Sequence, residues 1–198
     1  MITPVRRPVE LTGERCRIRD LRPSDADDLL ALRERNRSFF EPFEPALPPD
    51  HFTRRAQLDA IVHGNRAWDD DREYTFGVTL TTGELVGRIR LSVVVRGPWQ
   101  NANIGYYVDR DANGRGICTE GVGLVVGFAF DRLGLHRVQA GVMPRNTPSI
   151  RVLEKNGFRR EGLAPRYLRI NGEWEDHLIF ALTSDESVGS ARTPRSPR

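Results

Sequence analysis

Residues 113–120, Asn113-Gly114-Arg115-Gly116-Ile117-Cys118-Thr119-Glu120, hold the densest set of groups suited to chemistry in this chain. Two glycines one residue apart let the backbone turn tightly and aim successive amide N–H groups at one point. The apolar stretch that starts at Ile117 predicts a helix directly after them, so its unpaired first-turn amides and positive dipole end join the same cradle. The natural guest of such a cradle is an anion, and a pyrophosphate suits it. Arg115 adds a mobile positive charge and Thr119 a hydroxyl donor. A plain glycine turn before a helix would present the same letters. The dinucleotide-binding fingerprint fits poorly, because Thr119 stands where its third glycine belongs. No Gly-Lys-Ser/Thr phosphate loop occurs, since the only lysine is Lys155.

A second polar cluster is Asn146-Thr147-Pro148-Ser149. Here Thr147 can cap a helix over residues 148–156, Pro148 suits its first position and Gly157 its left-handed stop. Asn146 and Ser149 are then left as polar groups at the open end of a strand, where ligands lie in α/β sheets. Around the first cluster, Glu120 suits the positive end of the helix dipole better than a role as base. Cys118 at the same helix start reads as a small buried residue. His51, His63, His136 and His177 have no metal-ligand spacing, and neither have Cys16 and Cys118, so no metal is expected.

Several elements must hold these groups in place. Residues 11–21 read as a strand pair turning at Thr12-Gly13. Pro23 and Ser24 open a helix with Ser24 as N-cap and Asp27 as the acid of a capping box. A second helix spans residues 50–68, after a link rich in Pro and Phe. Residues 74–80, 85–95 and 103–108 read as consecutive strands. In the middle one, Leu85, Ile89, Leu91, Val93 and Val95 alternate with Arg88, Arg90 and Ser92. A helix over 117–133, a strand over 138–142 and the helix at 148 follow. A hairpin of 166–170 and 174–182 around Asn171-Gly172 closes the chain. Gly121, Gly123 and Gly127 each cost about 1 kcal/mol in a helix interior. Close packing of this helix on the sheet, or on the adenosine end of a cofactor, would offset that cost, and packing on the sheet is the preferred reading.

Composition bounds the rest. The 198 residues, 38% hydrophobic and 29% charged, suit one globular domain, placed at 9–183, and exclude a disordered chain or a coiled coil. Residues 184–198 are polar with two prolines and are expected to be a disordered tail. No apolar run reaches the ~20 residues of a membrane helix, and the start carries no signal-peptide core. The expectation is a soluble cytoplasmic protein. The net charge of +3 comes without a dense basic block, so nucleic acid is not expected as a direct ligand.

The run IGYYVDRDANGRGICTEG, followed by PRNTPSIRVLEKNGF and YLRINGEWEDHLIFAL, resembles the GNAT acetyltransferase superfamily. More narrowly, it is similar to the branch of ribosomal-protein alanine N-acetyltransferases. The resemblance covers the whole domain and is strongest over residues 104–182; the order and separation of the three motifs carry it. It implies an α+β, mixed α/β fold: a central, mostly antiparallel twisted sheet of about seven strands with a splayed parallel pair, flanked by about four helices. It implies acetyl-CoA as cosubstrate and no metal. The backbone of Tyr106, Tyr107 and Val108 would pair with the pantetheine arm. The amides of Asn113, Gly114, Arg115, Gly116, Ile117, Cys118 and Thr119 would hold the pyrophosphate. Asn146 would contact the arm beyond it, and the Ser149 hydroxyl would stand near the departing sulfur. The region of Phe43, Glu41 and Glu44 would line the acceptor groove, its two carboxylates attracting a cationic N-terminus.

Two positions depart from the family pattern. Asp111 stands where a Gln or Arg usually precedes the first glycine, with Arg110 adjacent as a substitute. Asn103 stands where several relatives place a glutamate base. The second departure bears on the acceptor. At pH 7 an α-amino group of pKa ~7.7–8.0 is neutralised for about 1 kcal/mol, and a lysine ε-amine of ~10.4 for about 4.6 kcal/mol. The expected acceptor is therefore a protein N-terminus, with a ribosomal protein the first candidate, and Asn103 and Ser149 are the expected catalytic residues. Acetylation of a small amine, or a non-catalytic acetyl-CoA-binding role in ribosome assembly, stays open at this point, as does the choice between monomer and homodimer.

Overall fold

The computed structural model describes residues 5–188. Eight strands form one sheet in the order β1-β2-β3-β4-β5-β6-β8-β7. They are β1 (Glu10–Thr12), β2 (Cys16–Asp20), β3 (Tyr74–Leu80), β4 (Leu85–Val95), β5 (Asn101–Val108), β6 (Arg137–Val142), β7 (Arg159–Ile170) and β8 (Glu173–Thr183). Every neighbouring pair is antiparallel except β5 with β6. Six α-helices accompany the sheet among the described residues: α1 (Ala26–Arg35), α2 (Arg37–Phe40), α3 (Arg54–Asp69), α4 (Ile117–Asp131), α5 (Thr147–Lys155) and α6 (Ser184–Val188). The expected mixed sheet is present, with one more strand than expected and two additional short helices.

Strand alternation divides the molecule into two faces. On one face, Ile18, Phe76, Ile89, Leu91, Ile104 and Val138 pack with α4 and α5 in the larger core. Gly121 makes the close approach of α4 possible, because a Cβ there would stand 3.0 Å from Ile89 and 3.1 Å from Ile18. The expectation of sheet packing thus holds for Gly121. The opposite face carries a smaller core of Leu21, Leu29, Leu32, Ile61 and Leu85 under α1 and α3, with Tyr107 packed against it.

Several local expectations change. Ser24 does not cap α1; it lies in a 3-10 turn, Pro23–Asp25. Asp25, the residue before α1, closes that turn instead, accepting from the Arg22 amide at 2.7 Å and from the two terminal Arg19 guanidinium nitrogens at 2.8 Å. Burial opposes ionisation of Asp25, yet Arg19 and the Arg22 amide hold its carboxyl below the ordinary value. Helix α3 starts at Arg54 rather than at residue 50, because Thr53 provides the cap, its hydroxyl accepting from the Ala56 amide. In β4 the inward alternation stops at Leu91. The pairing with β5 shifts between Ser92 and Val95, and Val93 has φ +52° and is 58% exposed. Strand β7 begins seven residues earlier than expected, at Arg159, and carries two register shifts.

Residues 184–188, placed in the expected disordered tail, form helix α6 instead. At the start of α6 the Glu186 carboxylate accepts from the Thr183 amide at 3.0 Å and from the Thr183 hydroxyl at 2.7 Å. The remainder of the expected tail, residues 189–198, lies outside the described residues. No helix of the described residues is long and apolar enough to cross a membrane.

Candidate active site

The site begins with a gap in the sheet. Strands β5 and β6 pair only through Asn101, Ala102 and Asn103 against Arg137, Val138 and Gln139. Beyond these, residues 104–108 and 140–142 continue apart, leaving their facing amides and carbonyls without a strand partner. Tyr106, Tyr107 and Val108, expected to offer backbone to an extended arm, lie on the open stretch of β5.

The glycine loop closes one end of this gap. Gly114 and Gly116 have φ +74° and +78°, the left-handed region that residues with a side chain adopt at a cost. Gly116 is the N-cap of the 15-residue helix α4. The amides of Gly114, Arg115 and Gly116 have no partner among the described residues, and the first-turn amides of Ile117, Cys118 and Thr119 add to them. These donors fit a diphosphate, and Arg115 is exposed beside them. The Asn113 side chain points back instead, donating to the Asp109 carbonyl at 3.1 Å. Asp109 anchors the turn before the loop by accepting from the Asp111 amide at 3.0 Å and pairing with Arg35 at 2.5 Å. Arg110 is exposed and faces Asp111 at 3.5 Å.

Glu120 does more than complement a dipole. Its carboxylate accepts from the amides of Glu14, Arg15 and Cys16 at 2.8–2.9 Å, tying the β1–β2 turn to the start of α4. Burial would raise its pKa, but these donors overcome that and hold it below the ordinary carboxyl value. Cys118 sits in the same turn, and burial pushes its thiol up to about 12. It stays protonated at neutral pH.

On the α4 side, one hydroxyl spans the gap. Tyr106 from β5 reaches the first turn of α5, with its hydroxyl 3.0 Å from the Ser149 hydroxyl and 3.2 Å from the Ser149 carbonyl. Burial pushes the Tyr106 phenol well above its ordinary value, against the opposing hydrogen bond with Ser149. It is held as a proton donor. The expected cap is corrected here: Asn146, not Thr147, caps α5, its Oδ1 accepting from the Ser149 amide at 3.2 Å.

On the other side of the sheet, Asn103, Gly105 and Tyr107 form a row along β5. A Cβ at Gly105 would meet nothing within 4 Å, so the middle of the row is open. The Asn103 Oδ1 and the Tyr107 hydroxyl are buried without hydrogen-bond partners. The segment around α2 roofs this face and is bound to the β7–β8 hairpin. Asn171 donates to the Glu41 carbonyl at 2.7 Å, and Arg145, paired with Glu175, donates to the Pro42 carbonyl at 3.2 Å. Of the three residues expected to line the groove, Glu44 is taken by the buried Arg33 at 2.6 Å and is not free to attract a cation. Glu41 and Glu44 line one recess with Arg37 and Phe52, and Phe43 is exposed beside it. Arg33 and Arg88 both approach the Tyr107 ring, at 5.0 and 5.3 Å, so the face is cationic rather than acidic.

Sequence reading missed the Tyr106 hydroxyl, Arg33, Arg88 and the Arg145–Glu175 strap. Only Arg88 had left a signal, as a charged residue alternating with the apolar side of β4.

Residues 15–159 match the acetyltransferase (GNAT) domain. The chain belongs to that family. As a member it is an N-acetyltransferase dependent on acetyl-CoA. It is 44% identical over 177 residues to the probable N-acetyltransferase YjcK of Bacillus subtilis (strain 168), covering 89% of this chain and 98% of that protein. It is 30% identical over 179 residues to the [ribosomal protein uS5]-alanine N-acetyltransferase of Escherichia coli (strain K12), covering 90% and 92%. The structure of Mycobacterium smegmatis RimJ in complex with CoA-disulfide superposes with a TM-score of 0.84 at 32% identity, covering 89% of this chain and 88% of that one.

Proposed function

We propose that this enzyme acetylates the N-terminal α-amino group of a protein in the cytoplasm, a ribosomal protein being the first candidate, within a ternary complex. The acceptor face carries the reading: it offers an unpartnered Asn103 amide oxygen where a carboxylate base would stand, and two arginines against Tyr107 further along the same row. A cationic environment lowers the pKa of an amine brought into it. An α-amine, already near pKa ~8, then loses its proton at neutral pH without a carboxylate, whereas a lysine amine needs several kcal/mol more. The relative that acetylates a ribosomal-protein alanine supports the same acceptor class.

The residue roles follow from position. Acetyl-CoA, when bound, supplies the acetyl thioester. The amides from Gly114 to Thr119 hold its pyrophosphate, and the open edge of β5 at Tyr106, Tyr107 and Val108 holds its arm, with Asn146 beside it. Asn103 accepts a hydrogen bond from the amine, or from a water that takes the amine proton. A backbone N–H near Tyr107 stabilises the developing negative charge on the thioester oxygen. Ser149 donates to the departing sulfur, backed by the protonated Tyr106.

A panel of peptides with free N-termini, lysine derivatives with blocked α-amines, and small amines, scored by CoA release, tests this. The peptides are expected to be turned over fastest. Turnover of small amines alone, or none at all, would contradict it.

A further inference from the structure

We infer that Arg88 recognises a carboxylate of the acceptor, so that the enzyme selects chains with Asp or Glu close behind the N-terminal residue. This rests on the α-amino reading for the kind of acceptor, not for the role of Arg88.

The first observation is a comparison among arginines. Among the described residues, Arg7, Arg19, Arg33, Arg88, Arg96 and Arg137 are the buried or half-buried ones. Five of them pair with a carboxylate: Asp69, Asp25, Glu44, Asp71 and Glu161 respectively. Arg88 pairs with none. Desolvating a guanidinium without a counter-ion is costly, and a ligand anion would remove that cost.

The surroundings point the same way. Two guanidiniums, Arg33 and Arg88, lie against the Tyr107 ring, and Glu44 neutralises only Arg33. One positive charge remains uncompensated. The buried Tyr107 hydroxyl and the Arg33 Nε have no partners. The same two arginines, after burial itself, hold His51 below its ordinary pKa, as expected of a locally positive site. Arg88 also lines a recess of about 120 Å³ with Leu21, Leu29, Ile61, Glu73, Thr75 and Arg90. The neighbouring Glu73 is not free for it, being engaged by Arg90 and by the Thr75 hydroxyl.

Position sets the distance from the chemistry. Arg88 lies directly opposite Tyr107 in the β4–β5 register, and Tyr107 is two residues along β5 from the open Gly105. Two strand residues span ~7 Å. An amine placed over Gly105 would therefore bring the side chain one or two residues behind it to the guanidinium. The planar fork of Arg suits a carboxylate, which accepts two parallel hydrogen bonds from it.

The test uses the whole enzyme and matched peptide pairs. Each pair begins with alanine and differs only in Asp against Asn, or Glu against Gln, at the second or third residue. The wild type is expected to favour the carboxylate member by about tenfold in kcat/KM at low salt, the scale of one charged hydrogen bond. The ratio is expected to fall to about one in Arg88→Gln and to invert in Arg88→Glu. Arg88→Lys, which keeps the charge without the fork, should give an intermediate ratio and serves if Arg88→Gln fails to fold. A wild-type ratio of one, or a ratio that survives in Arg88→Gln, would overturn the inference. If only small amines react, the α-amino reading fails separately. An amino acid compared with its amide, in wild type and Arg88→Gln, then still judges Arg88.

Discussion

The two faces of the sheet solve opposite problems. On the α4 side the chain completes itself: Glu120 fills three amides of the β1–β2 turn, Gly121 lets α4 settle on Ile89, and Tyr106 meets Ser149 across the gap. On the other side the chain leaves itself incomplete, with Asn103, Tyr107 and Arg88 lacking the partners that such buried groups ordinarily have. On the proposed function, one face holds a cosubstrate of fixed shape and can be built rigidly, while the other receives a variable chain whose groups supply the missing partners.

Substitutions can break this contrast. The largest effect is expected on the finished side. Gly116→Val places a β-branched residue at φ +78° and turns cradle amides away. Acetyl-CoA affinity should fall about a thousandfold, from two charged hydrogen bonds lost and backbone strain of ~1–2 kcal/mol. Calorimetry checks it, and unchanged affinity would remove the loop from the site. Next comes Ser149→Ala. Loss of one donor to a developing charge should lower kcat about a hundredfold, with acetyl-CoA affinity little changed. Single-turnover kinetics would separate the two.

Glu120→Ala is expected to cost about 3 kcal/mol of stability, read by urea unfolding, because three amides lose their charged acceptor. The pH dependence has a definite sign. The folded carboxyl titrates below its ordinary value of 4.5, so its contribution is complete above that pH and disappears as acid protonates the folded carboxylate. The gap between wild type and Glu120→Gln should therefore shrink on acidification below about pH 4.5. The smallest expected effect lies on the unfinished side. Asn103→Ala should lower kcat about tenfold, the worth of one hydrogen bond to the acceptor. An unchanged kcat across the pH range would remove Asn103 from the chemistry.

Much of the finished side was legible in the letters, because it depends on local rules. Glycines before an apolar stretch give the cradle, Asn171-Gly172 gives the last hairpin, and Gly121 foretells close packing. The misreadings arise where a distant partner overrides a local preference. Ser24 loses its cap role because Arg19 fixes Asp25. Val93 leaves the inward pattern where the β4–β5 pairing shifts. The first half of β7 is hidden because an exposed edge strand containing Pro165 has no two-residue period to read. The acceptor face was least legible, because the capture of Glu44 by Arg33 and the isolation of Arg88 depend on which charges the fold brings together.

One peptide decides the central claim. It carries a free alanine N-terminus, an acidic residue behind it and a lysine further on, and it is incubated with enzyme and acetyl-CoA at pH 7. Tandem mass spectrometry then locates the acetyl group. It is predicted on the α-nitrogen, with the lysine unmodified. Acetyl on the lysine, or a peptide recovered unchanged under conditions where acetyl-CoA binds, would contradict the account.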